Sequence, residues 1–221
     1  MVAAREAFLG AHHFLPLAET IAETCLKHAA DARFLIEAGA GTGYYIAHVL
    51  AALPLSSGLA LDLSKFAARR AARAHLRLDA VVADILETLP IKSESVDLAL
   101  NVFAPRPASE LHRILHRHGR LIVAFPAPHH MQQVRDAIPM LNIDPSKESR
   151  ISRTLDSGFR LAHRRSCQWT MDLQHNDLSA YVRMGPTARH TEPSTLPAKI
   201  AQLPSPMKAT GAVNIHVYER A

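Results

Sequence analysis

Three glycines alternate with small residues in the segment E-A-G-A-G-T-G, which runs from Glu37 to Gly43. Glycine permits positive φ angles and lets the backbone approach a ligand closely, and a helix is expected from about Tyr44 onward. A dinucleotide loop needs the spacing G-x-G-x-x-G, and a phosphate loop needs a lysine directly after its last glycine. Neither pattern is present. The spacing G-x-G-x-G (Gly39, Gly41 and Gly43), with Glu37 two positions upstream, therefore indicates a different nucleotide-like cofactor.

Acidic residues lie at the ends of three successive predicted strands: Glu37 in FLIEA, Asp62 in GLALDL and Asp84 in LDAVVAD. Glu37 suits a positively charged amino group, and Asp62 lies where an acid accepts hydrogen bonds from both ribose hydroxyls. Asp84 could meet the exocyclic amine of an adenine, with Ile85 packed on the ring. Each acid alone is most often a strand-end or helix-capping residue. The three together, with this glycine spacing, predict an S-adenosylmethionine site.

These residues must be positioned by an alternation of strands and helices between Phe34 and about Pro126. The candidate strands are FLIEA, GLALDL, LDAVVAD, SVDLALNVF and GRLIVAF, and the candidate helices are YYIAHVLAAL, SKFAARRAARAHL and PASELHRILHRH. Strands that are nearly all apolar and separated by helices predict a parallel sheet covered on both faces. Two later strands, FRLAHRRSCQWTMDL and AVNIHVYER, would form an antiparallel edge instead of the second βαβ half of a dehydrogenase.

The expected class is α/β: a Rossmann-like class I S-adenosylmethionine-dependent methyltransferase fold, with a mostly parallel seven-stranded sheet and an antiparallel last strand. An N-terminal helical segment over residues 1–31 is expected before the methyltransferase domain over residues 32–221. Within that domain, helical insertions are expected at roughly 129–157 and 175–205. This division follows the change from helical composition to alternating strands and helices.

The composition of the 221-residue chain, 48% apolar and 20% charged, is typical of a globular protein with a buried core. Its apolar runs are too short to span a bilayer and no signal peptide is recognised, so a cytoplasmic protein with no membrane partner is expected. Cys25 and Cys167 lie far apart and are expected to be buried, reduced thiols. The net charge of +5 is compatible with a polyanionic partner, and equally with a mildly basic enzyme that has a small substrate.

Several segments resemble the 23S rRNA (guanine-N1-)-methyltransferases, a family that includes the tylosin-resistance enzymes of actinomycetes. Besides G-T-G-Y-Y in the loop, the resemblance is carried by Arg5–Leu17, N-V-F-A-P-R (Asn101–Arg106), P-A-P-H-H (Pro126–His130) and M-G-P-T-A-R-H (Met184–His190). The glycine loop is common to a superfamily, whereas the other four segments together are specific. The resemblance implies S-adenosylmethionine as cofactor and 23S rRNA, or a precursor of the large ribosomal subunit, as partner.

The same resemblance implies cofactor contacts from Phe14, Tyr44, Tyr45 and His130. An aromatic ring near the loop can cover the adenosyl group, or contact the sulfonium through a cation–π interaction. Other interpretations remain open for each residue. Phe14 could be a hydrophobic staple for the following helix, the tyrosines could be core and surface residues of a first helical turn, and His130 could be an exposed residue at a helix start.

The segment N-V-F-A-P-R follows the fourth strand, where methyltransferases of this type place residues that face the acceptor. Asn101 could bond a base edge or the cofactor, Phe103 could stack on an extruded base, and Arg106 could stabilise developing negative charge or a phosphate. Plain core packing is an equally good interpretation of Phe103. Because the segment has no carboxylate, no proton acceptor is assigned for guanine N1.

Basic residues cluster in R-R-A-A-R (Arg69, Arg70 and Arg73), in His112–Arg120 and in His163–Arg165. Such clusters are usually just solvated, but together with Arg189 they are the candidates for RNA contact. Relatives carry a four-ligand zinc module before the Arg5–Leu17 segment; this sequence has no C-x-x-C, so no metal site is predicted. Two alternatives therefore remain: a small-molecule methyltransferase, or a non-catalytic relative that binds the cofactor or RNA.

Overall fold

The computed structural model describes residues 1–138, 140, 143–144, 146–185 and 195–221. The strands are β1 (Phe34–Ala38), β2 (Ser57–Asp62), β3 (Leu78–Val82), β4 (Val96–Val102), β5 (Leu115–Pro126), β6 (Phe159–Leu173) and β7 (Met207–Arg220). The described helices are α1 (Val2–Gly10), α2 (Leu15–His28), α3 (Tyr44–Ala52), α4 (Lys65–Ala71), α5 (Ala108–Ile114), α6 (Gln132–Ala137), α7 (Lys147–Leu155), α8 (His175–Met184) and α9 (Leu196–Ala201).

The seven strands form one sheet in the order β3-β2-β1-β4-β5-β7-β6. The pairs β1–β2, β1–β4, β2–β3 and β4–β5 are parallel, and the sheet ends with the antiparallel arrangement predicted for the last strands. The chain crosses over between β1 and β4, so the strand order reverses there. In open α/β sheets, this point at the carboxyl ends of the strands is where ligands bind.

Two compact units divide the chain. The sheet unit comprises Ala18–Phe125, Ser146–Ser166 and Asn214–Ala221, and the helical unit comprises Met1–Leu17, Pro126–Pro145 and Cys167–Val213. In the helical unit α1 packs on α8. The predicted division into residues 1–31 and 32–221 stays a prediction.

The central strands of the sheet unit are apolar on both sides because they are buried in its hydrophobic core. Ile36, Leu61, Ala99 and Val123 come from four neighbouring strands and are almost fully buried in one hydrophobic cluster. β1 is flanked by strands on both sides and its residues Leu35–Ala38 are all buried, as expected for a strand inside a parallel sheet. Cys25 and Cys167 are buried free thiols.

Several predicted boundaries are wrong, among them the end of the third strand, which lies at Val82 instead of Asp84. The helix expected over PASELHRILHRH ends at Ile114, because Leu115 pairs with Val96 and begins β5 earlier than expected. The register shift between Val96 and Leu98 accommodates His116–Gly119, so part of the basic cluster His112–Arg120 lies on a strand. The last strand begins at Met207 instead of Ala212, and α4 ends at Ala71, before the predicted end at Leu76.

No helix within the described part of the chain is both long and apolar enough to cross a membrane.

Candidate active site

The glycine loop lies between β1 and α3 and is held by backbone hydrogen bonds. Gly39, Gly41 and Gly43 have φ angles of 77°, 57° and 77°. The amides of Gly39 and Ala40 both donate to the carbonyl oxygen of Leu61, at 2.9 and 3.0 Å. The loop is therefore fixed to the carboxyl end of β2.

Glycine is required at both ends of this loop. A Cβ on Gly39 would lie 2.5 Å from the Cβ of Ala104, and one on Gly43 would lie 2.9 Å from the Cα of Ala71. Both positions also have the left-handed backbone that L-residues rarely adopt. The contact with Ala104 places the loop after β1 directly against the loop after β4, at the point where the strand order reverses.

The two acids predicted to flank the loop do lie beside it. Asp62 is half-buried; its Oδ2 accepts from the amide of Gly41 at 2.8 Å, and its Oδ1 accepts from the amide of Ser64 at 2.9 Å. Glu37 is buried, and its Oε2 accepts from the amide of Ile46, in the first turn of α3, at 3.1 Å. Asp62 thus organises the loop through backbone amides, and Glu37 holds the first turn of α3 that follows it.

The turn after β3 contributes Ile85 to the same region. Ile85 is buried, and its Cδ1 lies 3.5 Å from the position of a Cβ on Gly39. Asp84 is exposed, and its Oδ1 accepts from the amide of Leu86 at 2.9 Å. The structure therefore brings Ile85 against the glycine loop, whereas Asp84 shapes the turn that follows β3.

Sequence reasoning missed two exposed leucines in these turns. Leu63 directly follows Asp62 and is 68% exposed, and Leu86 follows Ile85 and is 63% exposed. Large apolar side chains at the carboxyl ends of parallel strands offer a surface for the flat face of a base. Both leucines could have been noticed in the sequence, because each closely follows the acid near a predicted strand end, in D-L-S and D-I-L.

Asn101 lies at the end of β4 and is fully buried. Its Nδ2 donates to the carbonyl oxygens of Pro105 at 2.7 Å and Ala38 at 3.4 Å, which joins the loop after β4 to the end of β1. Its Oδ1 is buried without a hydrogen-bond partner among the described residues. The side chain of Asn101 therefore positions the loop after β4, and its Oδ1 can still accept a hydrogen bond.

Phe103 and Arg106 follow on this loop. Phe103 has a φ of 54°, donates its amide to the carbonyl of Ala124 at 3.0 Å, and is 38% exposed. Burial lowers the pKa of Arg106, and its Nε has no partner within the described chain. The loop therefore presents a partly exposed ring and a half-buried guanidinium.

Tyr44 and Tyr45 begin α3 and pack edge to face, with ring centroids 5.2 Å apart. Burial, followed by the charge of Glu19, raises the pKa of Tyr44 to about 12, so its hydroxyl stays protonated at neutral pH. The Tyr45 ring lies 6.3 Å from the Phe103 ring, at 70°. Tyr45 is buried, so it connects the glycine loop to the loop after β4 through ring packing.

Phe14 and His130 come together in the helical unit. Phe14 is buried at the centre of an aromatic cluster, with edge contacts to Phe8 at 5.2 Å, Trp169 at 5.2 Å and His130 at 5.7 Å. His130 is buried, unlike the exposed helix-start residue considered as its alternative, and its Nδ1 accepts from the amide of Ala212 at 3.1 Å. In its neutral form this ring therefore carries its proton on Nε2.

The basic clusters differ in how far their side chains are engaged. Arg70 donates to the carbonyl of Phe66 on its own helix, and Arg165 binds Glu23 at 2.7 Å. Two of the resembling segments meet in the helical unit, where Arg5 donates to the carbonyl of Met184 at 3.4 Å. Residues Pro186–His190, including Arg189, lie outside the described residues.

Comparisons with known proteins agree with this geometry. Residues 36–123 match a family model described as a methyltransferase domain. The fold is similar to the crystal structure of MccD protein, with a TM-score of 0.61 at 16% identity, over 93% of this chain and 99% of that one.

Two curated relatives match nearly the whole chain. A "Putative 23S rRNA (guanine-N(1)-)-methyltransferase" from Micromonospora griseorubida is 38% identical over 99% of this chain and 79% of its own length. The "23S rRNA (guanine(748)-N(1))-methyltransferase" from Streptomyces fradiae is 39% identical over 98% of this chain and 78% of its own length. Similarity of this degree over almost the whole length shows that the chain belongs to the 23S rRNA (guanine-N1-)-methyltransferase family.

Proposed function

We propose that this protein binds S-adenosylmethionine at the glycine loop and transfers its methyl group to N1 of a guanine in 23S rRNA. The assignment of a guanine in 23S rRNA as the acceptor rests on the extent of the similarity to the two relatives. The methyltransferase-domain model covers only residues 36–123, whereas the two relatives match 98–99% of the chain and therefore also the parts outside that domain.

The residues around the glycine loop fit the cofactor. A nucleoside with an amino-acid tail needs a backbone free of Cβ atoms, an acid for the ribose hydroxyls and an apolar surface for the base. Gly39 has no room for a Cβ, Asp62 is fixed at the loop by two backbone amides, and Ile85 packs against the loop. Leu63 and Leu86 offer exposed apolar surface. Glu37 places a buried carboxyl group near the start of α3.

When bound, S-adenosylmethionine supplies an electrophilic methyl group on a sulfonium, which leaves as a neutral thioether. The main task of the protein is then to position the acceptor and to exclude water. Phe103 presents a partly exposed ring that can stack on a base, and Asn101 holds the loop that carries it. Guanine N1 must lose a proton, and the half-buried guanidinium of Arg106 can stabilise the negative charge that develops on the ring.

Two measurements test the proposal in sequence. Calorimetry with S-adenosylmethionine measures cofactor binding, with Asp62→Ala as the variant expected to lose it. Methyl transfer is then measured to ribosomal RNA from a strain that lacks the modification, and the site is located by reverse transcription. A methyl group on guanine N1 blocks base pairing, so the transcript stops there.

The alternatives give different outcomes in the same assays. Transfer to small acceptors but not to RNA would replace the proposal with a small-molecule methyltransferase. Cofactor binding without transfer to either kind of acceptor would leave the non-catalytic interpretation. Absence of cofactor binding to the intact chain would remove the site assignment itself.

A further inference from the structure

The sheet unit contains a cavity of about 210 Å³, separate from the residues assigned to the cofactor. It is lined by Glu148 from α7, by Arg164, Arg165 and Ser166 from β6, and by Asn214 and His216 from β7. Pockets that enclose a drug-sized ligand have volumes of roughly 300–1,000 Å³. This cavity therefore suits a small group, not a whole nucleotide.

The chemistry of the lining favours an anion. The guanidinium of Arg164, one hydroxyl and one amide offer hydrogen-bond donors, Arg165 adds positive charge, and Glu148 is the one acidic side chain among the six lining residues. Phosphate oxygens accept hydrogen bonds from all these donors, and a guanidinium can bind two of them at once.

Four of the lining residues come together because side chains alternate between the two faces along a strand. Arg164 and Ser166 share one face of β6, and Asn214 and His216 share one face of β7, because side chains two residues apart point the same way. β6 and β7 are neighbours in the sheet. His216 is 2% exposed, and its Nδ1 lies 3.3 Å from the hydroxyl of Tyr218, which restricts the ring.

Glu148 is held only loosely in this cavity. Its Oε1 lies 3.7 Å from Nε of Arg164 and 3.5 Å from Nε2 of His216, beyond the 2.7–3.2 Å typical of such hydrogen bonds. Its side chain is 44% exposed and can rotate towards solvent. The carboxylate of Glu148 therefore lies beside Arg164 without a close hydrogen bond to it, in a position where a stronger anion can replace it.

Arg165 plays a different part from Arg164. Its guanidinium binds Glu23 at 2.7 Å and reaches the hydroxyl of Thr24 at 3.4 Å, so it adds positive potential without a fully available donor set. The side chain of Arg164 is 63% exposed and has the long contact to Glu148. Arg164 is therefore the cation that an incoming anion can engage.

We propose that this cavity binds a backbone phosphate of the RNA substrate through Arg164, Ser166 and Asn214, in the place that Glu148 occupies in the free protein. The inference rests on the proposed function, because RNA is the substrate there. A contact to a phosphate fixes the position of a nucleic acid without reading its sequence. The cavity would thus hold the RNA in place while the target guanine enters the loop after β4.

The first test measures binding of a 23S rRNA hairpin to the full chain over a range of salt concentrations. Arg164→Gln should weaken binding about fivefold, and should reduce the slope of log affinity against log salt by about 0.7–0.9, the value for one phosphate contact. Arg160→Gln is the matched control, because Arg160 is an exposed arginine on the same strand that pairs with Glu219 and does not line the cavity. It should leave the slope unchanged.

The second variant should change the affinity for RNA in the opposite direction. Glu148→Gln removes the competing anion and should strengthen RNA binding about threefold. Glu94→Gln is its control, since Glu94 is also an exposed glutamate, paired with Arg220 at 2.7 Å and outside the cavity lining. Weaker binding by Glu148→Gln, or equal gains from both variants, would overturn the proposal.

The remaining outcomes separate the cavity from the proposed function. Equal slopes for Arg164→Gln and Arg160→Gln, with methyl transfer to RNA intact, would overturn the phosphate subsite alone. Arg164-dependent RNA binding without methyl transfer would support the subsite and contradict the proposed function. The absence of RNA binding by the unmodified chain would overturn both.

Inorganic phosphate distinguishes the source of the anion. The ring signals of His216, assigned with His216→Gln, should shift when the hairpin RNA is added. A shift with inorganic phosphate but none with RNA would identify a site for a free anion and overturn the assignment to RNA.

Discussion

The loop after β1 and the loop after β4 touch at Gly39 and Ala104, yet they use their polar atoms differently. In the first loop, the amides of Gly39, Ala40 and Gly41 all donate to the end of β2, through Leu61 and Asp62. In the second, Oδ1 of Asn101 and Nε of Arg106 are buried without a partner in the described residues.

The polar atoms described in the first loop thus have hydrogen-bond partners, whereas two buried polar atoms of the second have none among the described residues. A buried polar atom without a partner costs roughly 1–3 kcal/mol, and Phe103 adds the cost of a left-handed backbone. Such costs are tolerated where a ligand supplies the missing partner. In the proposed function, the loop after β1 would thus be organised before the cofactor arrives, and the loop after β4 would keep binding capacity for the acceptor.

The largest effect is expected from Gly39→Ala, which would break the contact between the two loops. The new Cβ meets Ala104 and the residue has a φ of 77°, so we expect a loss of about 2–4 kcal/mol in unfolding free energy and no measurable cofactor binding. Calorimetry and chemical denaturation measure both. Gly10→Ala is the control, since nothing lies within 4 Å of its Cβ position; a similar loss there would remove the steric explanation.

Arg106→Gln should affect only the second loop. Loss of the guanidinium should lower kcat about 100-fold, the effect of removing one group that stabilises developing charge. The dissociation constant for the cofactor should stay unchanged. Weaker cofactor binding with an unchanged kcat would assign Arg106 to the first loop instead, and Arg106→Lys should restore part of the rate.

Asp62→Asn should affect only the first loop. The amide side chain keeps one acceptor oxygen, so one of the bonds to Gly41 and Ser64 is lost, and the bonds to the ribose hydroxyls weaken. We expect cofactor binding to weaken about 10- to 100-fold, with kcat at saturating cofactor little changed. Asp84→Asn is the comparison: its carboxylate is exposed and bonds its own turn, so a smaller effect is expected, and an equal effect would reverse the two roles.

Phe103→Ala distinguishes stacking from core packing in the second loop. A ring that is 38% exposed and stacks on a base should raise KM for RNA about tenfold when removed, with little change in the melting temperature. A fall of about 3–5 kcal/mol in stability with an unchanged KM would instead indicate a core residue.

Low pH should slightly decrease the stability of the fold, through histidines that lie outside both loops. Burial, and then the neighbouring His163, lower the pKa of His28, and burial also lowers the pKa of His112. Below about pH 6.5 the unfolded chain therefore binds more protons than the folded one, so stability is fully present above that pH and decreases below it. Melting temperatures between about pH 8 and pH 5 measure the decrease, which His28→Gln should reduce; a steeper fall in that variant would contradict this account.

The sequence was sufficient for the features that depend on local pattern. The glycine spacing, the acids Glu37 and Asp62 near two strand ends and the expected sheet follow from residue types along one segment, and the structure places Asp62 and Ile85 at the loop. The third strand is shorter than expected and ends at Val82, before Asp84. The family was likewise recognisable from short segments, and the two relatives confirm it. The cofactor and catalytic roles of the individual residues stay predictions.

Features that depend on distant parts of the chain could not be predicted in the same way. The burial of Asn101 depends on the carbonyl of Ala38, 63 residues earlier, and the early start of β5 depends on pairing with Val96. The cavity around His216 is assembled from α7, β6 and β7, and no local pattern connects Glu148 with Asn214.

The contact between Gly39 and Ala104 also acts as a barrier to water. Two loops that leave no space for a methyl group leave none for a solvent molecule at that point. In the proposed function, water would then not reach the reacting centre through this point between the loops. The spacing of two small residues would in this way limit the wasteful hydrolysis of a reactive sulfonium, a consequence measurable as slow cofactor loss when RNA is absent.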